Sequence, residues 1–377
     1  MTFERLSCAI TGAEDLEELY TFKDFPIYMG CTDQPEHLDV YEDMIWSISQ
    51  SSGLIQLKKL LPLNILYREP HGSGSIGGLW HQHHSKFAEF INKANPKSVL
   101  EIGGGHGLLE KEYQHYGDTV WTIIEPNPSP VDGCKASFIR GFFGRNLCLS
   151  YTPDVVVHSH VMEHVYMPKV FMEDLSTFMK VGSYLIFSIP NMGAMMERKY
   201  ANCINFEHTI LLTEPYVEYL LSVYGYEIES KEYFKSDHSI FIKAVKSSTY
   251  NKMEIPIDLH NYNKYIFNQY VHYHEELVHI INSRLEGSQK DVYLFGAHVF
   301  SQYLINMGLN TSKIVSILDN DPLKQGRRLY GTNLGVMAPN ILKDSNNPLV
   351  ILRAGVYNRE IKEGILSTIN PSTVFLE

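Results

Sequence analysis

The run Val99-Leu100-Glu101-Ile102-Gly103-Gly104-Gly105-His106-Gly107 constrains this chain more than any other stretch. An apolar strand pattern ends in an acid and passes straight into glycines, where the backbone can turn sharply and a ligand can approach without meeting a Cβ. A second apolar run, Trp121-Thr122-Ile123-Ile124, ends in Glu125-Pro126, with Glu125 lying 24 residues beyond Glu101. A carboxylate at that point can accept protons from both hydroxyls of a ribose. Together these features lay out an adenosine-cofactor site at the edge of a doubly wound sheet. The spacing E-x-G-x-G-x-G departs from the G-x-G-x-x-G of a dinucleotide site, where a helix N-terminus faces a pyrophosphate. An acid inside the motif also suits a cationic sulfonium bearing an amino group. The cofactor read from the residues is S-adenosylmethionine, leaving as S-adenosylhomocysteine. Its expected neighbours are Glu101, Gly103, Gly105, Gly107, Glu125, Pro126 and His160, with Phe142 or Phe143 over the adenine.

Strand and helix patterns alternate around this motif. A helix is predicted over 80–94, where Phe87, Phe90 and Ile91 share a face. Strands are predicted at 97–102, 119–124, 153–158 and 184–189, with a last one at 237–244. Such alternation means a mainly parallel sheet covered on both faces. A polar, turn-prone stretch at 247–252 reads as a linker and is followed by a long helix at 261–286. A second strand-turn-helix series then begins at Val292, with further strands at 314–318 and 349–352. Its first turn holds a single glycine, Gly296, so no separate cofactor is expected there. The fold class is α/β, in three parts. Residues 1–75 form a small irregular module closing on a glycine-rich loop at 71–78. Residues 76–246 form a Rossmann-like domain of the class I S-adenosylmethionine-dependent type, and residues 247–377 a second Rossmann-like α/β domain.

Composition excludes several function classes. With 377 residues the chain exceeds one ordinary domain, and 44% hydrophobic against 20% charged residues suffices for real cores. A net charge of −11 argues against an extended nucleic-acid surface. No apolar run approaches the ~20 residues that span a bilayer, and the first residues do not read as a secretory leader. Five scattered cysteines fit a reducing compartment, so a cytoplasmic location is expected.

Two histidine-bearing segments carry the chemistry. Asn205-Phe206-Glu207-His208 follows the strand ending at Ile189, beyond the sheet edge where ligands of such folds sit. A histidine beside a carboxylate can be tuned to take a proton near neutral pH. The segment His158-Ser159-His160-Val161-Met162-Glu163-His164 crosses from a strand end into the next turn. Its spacing matches no metal-ligand pattern, so His160 and His164 are read as pocket lining and no metal is expected. Trp80-His81-Gln82-His83-His84 reads as a helix start with partly exposed histidines, one of which reaches the cleft.

Four further stretches carry a resemblance. They are Leu318-Asp319-Asn320-Asp321-Pro322-Leu323-Lys324-Gln325-Gly326, Gly331-Thr332, Pro339, and Tyr357-Asn358-Arg359-Glu360-Ile361. In this order, and with the glycine motif and the Glu207-His208 pair, the chain resembles the three-part sugar C-methyltransferases that act on nucleotide-linked 4-keto-deoxysugars. The resemblance implies that His208 is the base removing the proton beside the ketone, with Glu207 supporting it. His164 falls on a family histidine and His160 on a family asparagine. Asn205 stands where the family has an assisting tyrosine. The family also carries zinc on two Cys-x-x-Cys pairs, the second before Gly-Leu-x-Gln-Leu. Here Gly53-Leu54-Ile55-Gln56-Leu57 is present, but the pairs read Cys8-Ala9-Ile10-Thr11 and Ser49-Gln50-Ser51-Ser52. One thiolate with serines is a poor zinc set, so no zinc is expected and apolar packing must hold the module.

The leading expectation is carbon methylation of a nucleotide-linked keto sugar through an enolate. His164 or His160 would donate to the enolate oxygen, and the C-terminal domain would contact the nucleotide. O- or N-methylation of a glycan or related metabolite, and a cofactor-binding protein without turnover, are the alternatives.

Overall fold

In the computed structural model, which describes residues 3–66 and 77–377, the apolar runs near the N-terminus pair as a three-stranded antiparallel sheet. Its strands are β1 (Leu16–Pro26), β2 (Tyr41–Ser49) and β3 (Ile55–Leu57), in that order. This corrects the expectation of an irregular module. Register shifts between Glu18 and Tyr20 and between Phe22 and Phe25 break the period-two alternation that would have announced β1. The 71–76 portion of the glycine-rich loop lies outside the described residues.

The middle third forms the sheet expected from its pattern. In chain order come α1 (Gly78–Asn92), β4 (Ser98–Ile102), α2 (Leu108–Tyr113), β5 (Val120–Glu125), β6 (Ser137–Arg140) and β7 (Val155–Ser159). Then follow α3 (Pro168–Phe178), β8 (Tyr184–Pro190), α4 (Met192–Glu197), α5 (Glu214–Val223), β9 (Tyr226–Phe234) and β10 (Ser239–Lys246). The seven strands lie in the order β9-β10-β8-β7-β4-β5-β6, and β10 runs antiparallel to both of its neighbours. The order reverses at β4, so the crevice beyond β4 and β7 is the topological switch point where such sheets hold ligands. Strands β6 and β9 escaped the sequence pattern, since their exposed edge positions carry polar residues.

Beyond Ser247 the chain enters α6 (Leu259–Glu286), then β11 (Val292–Phe295), α7 (Val299–Asn306), β12 (Ile314–Leu318) and β13 (Val336–Met337). It ends with β14 (Leu349–Leu352), α8 (Asn358–Thr368) and β15 (Val374–Leu376). These five strands form a parallel sheet in the order β13-β12-β11-β14-β15. At the end of β12, Asp319 accepts the Ala297 N–H at 2.8 Å and the Lys324 ammonium at 3.1 Å. The carboxylate in the ribose position of this second unit is thus taken up by the unit's own turn.

The N-terminal sheet does not keep a core to itself. Phe22, Trp46 and Leu57 pack in one cluster with Leu100, Val156 and Phe187 of the central sheet and with Phe267 and Tyr270 of α6. Burying each such side chain stabilises by about 1.5–3 kcal/mol, which makes the join between these parts a major fraction of the fold's stability. The opposite face of the central sheet packs Val157 and Ile123 against Phe87 and Ile91 of α1. Among the described residues no helix is long and apolar enough to cross a membrane.

Candidate active site

The glycine loop leaves β4 with Gly103, Gly105 and Gly107 all at positive φ (76°, 38° and 71°). A Cβ on Gly105 would meet nothing within 4 Å, so its outer face is open to a ligand. A Cβ on Gly104 would come within 2.6 Å of the Glu101 carboxyl carbon, which places that carboxylate under the loop. There it is buried and accepts the indole N–H of Trp121 at 2.8 Å, and burial pushes it up to about 7. Glu101 thus lies beneath the turn that carries Gly103, Gly104 and Gly105. Glu125 is the accessible acid. One of its oxygens receives the Gly105 N–H at 3.2 Å and the other the Asn127 N–H at 3.0 Å, beside Pro126. Phe143 packs edge-on against Phe171 and Phe178 on α3, while Phe142 projects into solvent at 66% exposure. An open cradle at Gly105 with a carboxylate beyond the next strand fits an adenosine cofactor.

The segment carrying His208 is organised by Asn205. The Asn205 side-chain oxygen accepts the backbone N–H groups of Glu207 and His208, both at 2.8 Å, closing a tight turn. Asn205 is buried, so its part is to shape this turn. His208 Nδ1 lies 3.0 Å from the Cys203 carbonyl oxygen. The Asn205 side-chain nitrogen lies 3.2 Å from the same Nδ1, so the two neighbours favour opposite tautomers, and the one that donates from Nδ1 to the Cys203 carbonyl leaves Nε2 with the lone pair a base requires. Burial lowers the His208 pKa, opposed by the Cys203 carbonyl contact and by the charge of Glu207.

Opposite lies His164, its ring centroid 5.1 Å from that of His208. Its Nδ1 contacts the Glu207 carbonyl oxygen at 3.0 Å and its Nε2 lies 3.7 Å from Glu163 Oε1. Donating from Nδ1, the neutral ring has no second N–H for an enolate oxygen, so the expected donor role holds only for the imidazolium. Glu163 is fully buried, and burial pushes it up to about 8. His160, in the left-handed region at φ 53°, closes the cluster: its Nδ1 is 3.5 Å from Glu163 and its Nε2 2.8 Å from Ser239 Oγ.

Two further histidines join this neighbourhood: His83, expected among the partly exposed histidines of 80–84, and His238, which the sequence did not single out. His83 on α1 is wholly buried, and His238, in the turn before β10, is nearly so. The rings of His83, His160 and His238 each lie 5.0–5.1 Å from Trp80. A signal for His83 existed, because positions 83, 87, 90 and 91 share one helical face with the apolar stripe. His81, by contrast, is exposed and pairs with Glu112 at 3.3 Å. His158 belongs to the core, stacked on its cross-strand partner Phe187 at 4.8 Å.

The N-terminal sheet grips this site. Strand β3 pairs with the residues just past His208: Leu57 N–H donates to Thr209 O (3.0 Å) and Leu211 N–H to Ile55 O (2.8 Å). The buried guanidinium of Arg5 donates to Thr209 O at 2.5 Å and to Tyr166 O at 2.7 Å, joining the segments that bear His208 and His164. At the positions that the resemblance matches to zinc cysteines, Cys8 Sγ lies 3.3 Å from Ser52 Oγ. Ser49 Oγ donates to Asp15 at 2.8 Å, and the Ser51 N–H to the same carboxylate at 2.7 Å. One thiol among hydroxyls already committed to hydrogen bonds does not fit a zinc ion. Among the described residues no group of cysteines is gathered as a zinc set.

Residues 79–231 match the family model of a methyltransferase domain, and residues 242–370 that of a C-methyltransferase C-terminal domain. Among solved structures, an O-methyltransferase family protein from Burkholderia thailandensis is similar at 13% identity and a TM-score of 0.37. That similarity covers 45% of this chain and 57% of the other, so this chain spans little more than half of that relative's length. The N-methyltransferase NodS from Bradyrhizobium japonicum is 11% identical, with 45% and 97% covered and a TM-score of 0.35. Magnesium protoporphyrin IX methyltransferase from Synechocystis, solved with S-adenosylhomocysteine, is 15% identical, with 48% and 93% covered and a TM-score of 0.37. No curated protein matches this sequence. The sheet order, the glycine loop and the two family matches define an S-adenosylmethionine-dependent methyltransferase of the class I fold. More particularly, its methyltransferase domain is followed by a C-methyltransferase C-terminal domain.

Proposed function

We propose that this enzyme methylates a carbon atom next to the carbonyl of a nucleotide-linked keto-deoxysugar, with His208 as the base. The observation that carries this reading is the state of His208. The Cys203 carbonyl oxygen lies 3.0 Å from its Nδ1, and in the tautomer that donates from Nδ1 to that carbonyl Nε2 keeps the lone pair a base needs. Bound S-adenosylmethionine supplies an electrophilic methyl group. The residues of this chain would do the rest. Glu125 and the open face of Gly105 hold the adenosine part. His208 takes the proton from the carbon beside the ketone, leaving an enolate whose carbon is the nucleophile. Holding the reacting atoms about 3–3.5 Å apart and in line would supply much of the rate.

The C-terminal domain stands at the rim on the side we assign to the nucleotide. Tyr357 shares a side-chain hydrogen bond with Trp80, and Glu360 accepts the Gly78 N–H at 3.4 Å. That assignment follows the resemblance to sugar C-methyltransferases, as does the choice of a keto sugar over another carbon acid.

Replacing His208 tests the reading. His208→Ala is expected to lower turnover by on the order of 10²–10⁴-fold. Its calorimetric affinity for S-adenosylhomocysteine should stay within about twofold, because the ring serves the acceptor. Wild-type turnover in the variant would remove His208 from the mechanism.

A further inference from the structure

We propose that His83, His160 and His238 form a site for one divalent transition-metal ion of the zinc type, with its fourth position open. Three elements far apart in sequence bring these side chains together: α1, the turn after β7 and the turn before β10. One ring nitrogen from each lies within 4.8 Å of the other two. A small inward movement of each ring would bring them to the spacing of a tetrahedral ion's ligands.

Four observations favour an ion over a hydrogen-bonded histidine network. First, His83 Nδ1 is buried with no hydrogen-bond partner, a cost that a closed network would have removed. Second, Ser239 Oγ bridges His160 Nε2 at 2.8 Å and His238 Nδ1 at 2.6 Å, so turning that one hydroxyl frees two imidazoles together. Third, Glu163 stands behind His160. Its Oε1 is 3.5 Å from His160 Nδ1, and neither of its oxygens has a hydrogen-bond partner. A carboxyl group behind the outer nitrogen of a ligating histidine is the arrangement that orients such ligands, and a bound cation would favour its ionised form. Fourth, the site is sheltered on one side and reachable on the other: His83 and His238 are buried and Trp80 lies edge-on to all three rings, while the His160 side chain is 17% exposed. Burial holds the three imidazoles in the neutral form that ligates metals. Three histidines without a fourth protein ligand is the pattern of a site that keeps a place for water or a substrate oxygen.

The test uses the untagged full-length chain, stripped of metal and titrated with Co2+. The expected result is one ion per chain, with the intense visible bands of tetrahedral cobalt, displaced by Zn2+. His238→Gln and His83→Gln should abolish the bands. Glu163→Gln should weaken affinity by about 10-fold. His81→Gln and His208→Gln should leave the bands in place. His238→Cys should keep the ion and add a sulfur-to-cobalt charge-transfer band, a readout that a folding defect cannot mimic. Only the weak bands of hydrated cobalt in the unmodified protein would overturn the proposal. Loss of the ion in His208→Gln with retention in His238→Gln would also overturn it, placing the ion at Glu163, His164 and His208.

Discussion

Glu101 illustrates how one residue's burial feeds into the whole protein's pH response. Its carboxylate has a folded-state pKa of about 7 against an ordinary 4.5, and burial is the main cause. A carboxyl group raised in this way binds its proton more tightly in the folded chain. Its stabilising contribution is full below pH 4.5 and is lost as pH rises through about 7. The shift corresponds to about 3 kcal/mol at most. Glu101→Gln keeps an oxygen for the Trp121 N–H and removes the titration. Thermal melts of the cofactor-free protein should therefore show wild type losing about 2–3 kcal/mol relative to the variant between pH 5 and pH 8. Parallel curves would mean that this carboxylate is not held as described. At this scale the sequence was partly legible. The glycine spacing and Glu125 could be read directly, because backbone turns and strand ends impose residue types. The burial of Glu101 under its own loop could not, because it depends on Trp121 reaching back across the neighbouring strand.

Among the elements, β3 has a part beyond closing the small N-terminal sheet. Its ladder with Thr209 and Leu211 sets the height of the segment that begins at His208. Arg5 adds charge-assisted hydrogen bonds to the same segment, and burial lowers its pKa to about 10, still protonated at neutral pH. Arg5→Gln should therefore act on chemistry more than on cofactor binding. A displaced base costs on the order of 10- to 100-fold in kcat. The affinity for S-adenosylhomocysteine should be unchanged, since the glycine loop lies on other elements. Unaltered kcat in a folded variant would show that the clamp is structural only. This arrangement was hidden in the sequence. The Gly53–Leu57 motif could be matched to relatives, but the pairing of β3 with a segment some 150 residues later is set by tertiary packing. The N-terminal strands were missed for a related reason: bulges in β1 break its alternation, and the inner half of β2 is buried on both faces.

The chain builds two α/β units, one on a mixed sheet and one on a parallel sheet, and a small antiparallel sheet that shares the core of the first. The two α/β sheets were legible, since consecutive apolar runs with intervening helical patterns admit few topologies. Their union was not. One hydrophobic cluster runs from Phe22 through Val156 to Tyr270 and Tyr303, crossing all three parts expected from sequence. Tyr270 OH donates to Tyr200 O at 3.2 Å, and Gly355 packs on the Tyr200 side chain, so α6 and the second unit both contact the segment after α4. Because one core joins the three parts, the role claimed for His208 is tested on the whole chain.

That claim is proton removal from carbon by His208. The most direct measurement is solvent exchange: nucleotide-linked 4-keto-deoxysugars are incubated with the protein and S-adenosylhomocysteine in D2O and followed by proton NMR. Wash-out of the proton beside the ketone is expected with wild type, and no wash-out with His208→Ala. Exchange at equal rates in both proteins, or a wild-type methylated product carrying O–CH3 instead of C–CH3, would contradict it.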